Sequence, residues 1–125
     1  MRIRSEQLGA LSQAASESFE SRMAAHLRKY FPADCAQMGD EGLHDTIRQG
    51  IGRAADHGIS TEYDVARFID LMFILCRDFD TNPNTPWAAD TLADEALGPS
   101  EKMDRLYART QRELRTLADR QDSWA

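Results

Sequence analysis

Long apolar runs are missing from this sequence. The longest stretch without a charged or polar residue is Leu71–Cys76, LMFILC. A helix that crosses a bilayer needs about 20 such residues, so no membrane span is expected. The first twenty residues carry two arginines but no continuous apolar segment, which predicts no signal peptide and a cytoplasmic protein. Cysteine is scarce: Cys35 and Cys76 sit in separate segments and form no CxxC. Reduced, partly buried thiols follow, rather than a disulfide framework or a zinc knuckle. The three histidines, His26, His44 and His57, have neither HxxxH spacing nor a nearby cysteine, so no metal is expected. No GxSxG elbow and no glycine loop closed by lysine is present. The chain therefore reads as non-enzymatic and free of cofactors. Positive charge is in deficit. Fifteen basic residues face 21 acidic ones for a net charge of −6, and neither half of the chain is basic. The C-terminal arginines Arg105, Arg109, Arg112, Arg115 and Arg120 alternate with Asp104, Glu113, Asp119 and Asp122. That mixture suits a solvated helix face and no nucleic-acid partner.

What is present is helical periodicity. Apolar residues make up 42% of the 125 positions, enough for one domain with its own core. Ser5–Tyr30 reads as an amphipathic helix capped by Ser5, with Leu8, Leu11, Ala15, Phe19, Met23, Leu27 and Tyr30 at steps of three and four. Phe31-Pro32 ends it, and residues 32–39 read as a connector. A second helix runs from Asp40 to His57 and stops at Gly58. Gly50 and Gly52 inside it point to close approach of a neighbouring helix. A third, residues 61–77, is capped by Ser60 or Thr61 and is apolar nearly all round from Phe68 onward. Such a helix is buried on all sides and would be the central element. Pro86 at the first position opens a short fourth helix. Ser100 is expected to cap the fifth, with Met103, Leu106, Tyr107, Thr110, Leu114 and Leu117 facing inward. The fold class is all-α: a single-domain bundle of four to five helices over residues 1–125, around the buried central helix.

The segment after that helix, DFDTNPNTPW from Asp78 to Trp87, raises the question of a site. Asp78, Asp80 and Asn82 alternate as calcium-loop ligands do. Such a loop also needs glycine at its sixth position and glutamate at its twelfth. Pro83 and Ala89 stand there, so no calcium site is expected. Asp80, Thr81, Asn82 and Asn84 favour side-chain-to-backbone turns. Phe79 and Trp87 can fold back on the core. The segment reads as an ordered corner, and Asp78, Phe79, Asp80, Asn82 and Trp87 are its candidate protein-binding residues.

The order of motifs carries a resemblance. The succession SRMAAHLRKYFP (Ser21–Pro32), the long segment Ile47–Leu92 and KMDRLY (Lys102–Tyr107) is similar to a family of small helical bacterial proteins. Members are encoded in type VI secretion effector clusters, beside spike, PAAR-tip and adaptor-chaperone genes. The sharpest parts are the turn HGIS (His57–Ser60) and FDTNPNTPWA (Phe79–Ala88). The resemblance spans about Phe19 to Tyr107 and implies no catalytic residues. It implies an adaptor or co-chaperone that binds a secretion effector, its adaptor-chaperone or the PAAR/spike tip. The alternative is an immunity protein that neutralises a cognate secreted toxin, for which the acidic charge is suited.

Overall fold

A computed structural model describes the backbone of residues 9–124 and the side chains of residues 17–118. Five helices follow in order: α1 (Gly9–Tyr30), α2 (Pro32–Asp56), α3 (Glu62–Ile74), α4 (Pro86–Ala93) and α5 (Pro99–Trp124). Among the described residues there is no strand, so the protein is all-α. The chain forms two compact units, Met1–Gly52 and Arg53–Ala125, and the division falls inside α2.

In the first unit α1 and the longer arm of α2 run antiparallel. Glu20 accepts from Arg48 at 2.9 Å and lies 2.5 Å from His44 Nδ1, while Arg28 reaches Asp40 at 3.1 Å. Phe19, Met23, Ala24 and Leu27 of α1 are buried, as are Leu43 and Ile47 of α2. Tyr30, expected on the inward stripe, is 59% exposed. The expected cap Ser5 and the stripe residue Leu8 lie outside the described residues. The expected connector of residues 32–39 is instead mostly helix. Pro32 stands at a first helical position, where its missing N–H leaves no hydrogen bond unmade, and Asp34 favours the positive helix start. The break comes at Gly39, with φ 74° and ψ 170°, a region essentially closed to residues with a Cβ.

In the second unit α2 ends as the glycine predicts. Gly58 has φ 81°. Ile59 N–H donates to Ala54 O and Gly58 N–H to Ala55 O, each at 2.9 Å, the paired closure of a Schellman end. Ala54 and Ile59 are both fully buried beneath it. Thr61 caps α3 by accepting from Asp64 N–H at 3.3 Å. The helix ends at Ile74, three residues before the expected Arg77. Val65, Phe68, Ile69, Leu71 and Met72 are buried, but Phe73, Ile74 and Leu75 are only half-buried. α3 is thus covered on most of its surface rather than all of it. Both α3 and α4 pack on α5, through Ala88 and Leu92 of α4 and Met103, Leu106 and Thr110 of α5. The inward stripe of α5 ends there. Leu114 and Leu117 are 45% and 52% exposed, against expectation.

A buried carboxylate ties the starts of α3 and α5. Asp64 accepts from Ser100 Oγ at 2.7 Å, Arg67 Nη2 at 2.8 Å and Thr61 Oγ1 at 3.1 Å. Burial alone would raise its carboxyl. The bonds from Arg67, Ser100 and Thr61 outweigh burial and hold it below the usual carboxylate range. Ser100 is therefore not the cap of α5. Gly98 fills that place: its N–H donates to Glu101 Oε1 at 3.3 Å, and Lys102 N–H donates to its carbonyl at 2.9 Å. Arg67 lies between the rings of Tyr63 and Tyr107, 4.7 and 5.4 Å from their centroids, and donates to Asp104 at 2.9 Å.

The glycines give a test of this backbone. A Cβ at Gly52 meets no atom within 4 Å, so close helix approach does not explain that glycine. Gly52→Ala is expected to stabilise the protein by up to about 1 kcal/mol. Gly39→Ala is expected to destabilise it by about 1–3 kcal/mol because of its φ. Chemical denaturation of the two variants against wild type checks both signs.

Candidate functional site

The corner between α3 and α4 is built from inside outward. Phe79 is fully buried, its ring 4.9 Å from that of Phe68. Asp80 follows it inward, with 3% of its side chain exposed. An isolated carboxylate there would be very unfavourable. Two residues at the C-terminal end of α2 meet it, Arg53 in the last turn and His57 just past it. Arg53 Nη2 forms an ion pair with Asp80 Oδ1. Arg53 Nε donates to Oδ2 at 3.3 Å, and His57 Nε2 lies 3.2 Å from the same oxygen. Arg53 Nη1 also donates to the carbonyl of Arg77 at 2.6 Å, so one guanidinium holds both a side chain and the backbone of the corner. Arg53 and His57 lie one turn apart on one helix face, the spacing that lets both reach one carboxylate.

Burial and the charges of Lys102 and Arg53 push the His57 imidazole below its usual range, with Asp56 opposing. At neutral pH the ring is uncharged, and the tautomer protonated at Nε2 suits Asp80 as acceptor.

The rim is tied down by its own side chains. Asn82 Nδ2 donates to Asp78 Oδ1 at 3.1 Å, and Asn84 N–H donates to Asn82 Oδ1 at 2.7 Å. Thr81 N–H and Asn82 N–H both donate to Asp78 O at 2.9 Å. Thr85 precedes Pro86 at the start of α4. Its hydroxyl donates to Phe79 O at 2.8 Å instead of capping the helix. The hydrogen bond from Asn82 holds the exposed Asp78 carboxyl below its usual range. Trp87 is half-buried, with the Arg109 guanidinium 5.1 Å from its ring centroid.

The five candidate residues therefore divide. Asp78, Asn82 and Trp87 reach solvent wholly or in part, while Phe79 and Asp80 are anchors that a partner does not touch. Arg53, His57 and Thr85, which set the corner, were not among the candidates. The alternation that suggests calcium ligation places Asp78 outward and Asp80 inward, so the two carboxyls do not converge. Among the described residues no group of three His, Cys, Asp or Glu side chains is placed to hold a metal ion.

The thiols are also accounted for. Burial raises Cys35, with Arg28 opposing. Burial and then the hydrogen bond to Asp78 raise Cys76. Both are protonated at neutral pH, and a thiol in that state is a poor nucleophile. Among the described residues no helix is long and apolar enough to cross a membrane. No protein-family model, curated protein or solved structure matches the chain.

Anchor and rim make opposite predictions. Asp80→Asn leaves Arg53 without its charge partner. The expected loss is about 2–4 kcal/mol, somewhat below that for a fully buried pair because Arg53 and His57 are each 26% exposed. Asp78→Asn is expected to leave the unfolding midpoint unchanged, because the exposed carboxylate is screened by water. Urea unfolding of the two variants decides between these roles. The lowered His57 pKa sets a second sign. As pH falls through the ordinary imidazole value of 6.5 the unfolded chain binds the proton first, so stability is full above that pH and falls as pH drops. Melting temperatures between pH 7.5 and 5 should fall less steeply in His57→Gln than in wild type. Parallel curves would remove His57 from this role.

Proposed function

We propose that this protein is a non-enzymatic binding module, an adaptor or co-chaperone. It engages a type VI secretion effector, its adaptor-chaperone or the PAAR/spike tip, and the corner is its recognition surface. The observation that carries this reading is the fixed rim: Asp78, Asn82 and Asn84 are hydrogen-bonded in series above the buried Phe79 and Asp80. A surface already held in one conformation loses little entropy when a partner binds. The groups with reactive chemistry are otherwise engaged. Asp64 and Asp80 are buried against cations, and both cysteines are protonated. The kind of partner follows from the resemblance of Phe19–Tyr107 to proteins of secretion clusters. The net charge of −6 also suits the second reading, an immunity protein that covers a basic toxin site.

Co-expression with the products of the neighbouring genes, followed by sizing with light scattering, tests the proposal. Wild type should form a defined complex with the adaptor, effector or tip protein. The rim variant Asp78→Lys, Asn82→Ala should melt as wild type does and bind at least about tenfold more weakly, roughly 1.4 kcal/mol. Tight capture of an isolated toxin domain, with rescue of intoxicated cells, would replace this reading with the immunity one. A complex indifferent to the rim variant would remove the corner from recognition.

A further inference from the structure

We draw no further inference here: the strongest candidate, the half-exposed apolar face of α5 at Leu114 and Leu117, continues the buried stripe of that helix, and nothing in the structure shows what covers it.

Discussion

The second unit depends on one buried carboxylate, that of Asp80. The corner must bring the chain from the end of α3 to the start of α4, and its backbone has no regular ladder to follow. Asp80 supplies a fixed point. Its charge is tolerable inside only because Arg53 and His57 stand on the facing side. Their positions in turn follow from how α2 ends. Gly58 takes the left-handed conformation, the two closing hydrogen bonds form, and Ile59 is turned into the core. The rim residues Asp78 and Asn82 thus owe their placement to a glycine 20 and 24 positions earlier. Phe79 adds depth by packing on Phe68, but an aromatic contact constrains direction weakly. The ion pair sets which way the corner faces.

Asp64 plays the corresponding part at the other end of α3. Its oxygens accept from a cap hydroxyl, an arginine one turn on, and a serine in the first turn of α5. Neither carboxylate is needed for bulk stability, which comes from Phe68, Ile69, Leu71, Met103 and Leu106. Replacing such pairs by apolar groups of similar shape is often neutral. Their contribution is selection. Apolar packing tolerates sliding and rotation of helices, whereas a buried charge tolerates only arrangements in which its partner is present. Two such charges at opposite ends of α3 leave that helix one register against its neighbours.

Much of this fold was legible in the residues because its signals are local. Thr61 before Glu62 and Asp64, Pro86 at the start of α4 and Gly58 after α2 each act within four residues, and each does what its chemistry predicts. The misses are of two kinds. Residues 32–38 carried a local signal that was underweighted: proline at a helix start, then alanines, glutamine and methionine. The others were not local. That Asp80 points inward depends on Arg53, 27 residues away in sequence, and no pattern in DFDTNPNTPW distinguishes it from Asp78. Ser100 looks like a cap because serine is among the residues preferred there, but Pro99 already takes the first helical position. Asp64 on another helix takes its hydroxyl instead. Leu114 and Leu117 continue the period of Leu106 without a break. Periodicity identifies a helix face but not where its cover ends.

The same distinction separates the buried anchors from the surface above them. Asp64 and Asp80 are surrounded by donors, and the Arg67 guanidinium is divided between two carboxylates and two rings. Chemistry of that sort holds surfaces in place. At the corner the surface held is the rim of Asp78 and Asn82, hydrogen-bonded to each other above the buried Phe79. The buried ion pair fixes the backbone from below, so a change at the rim alters what the surface presents and not where it sits.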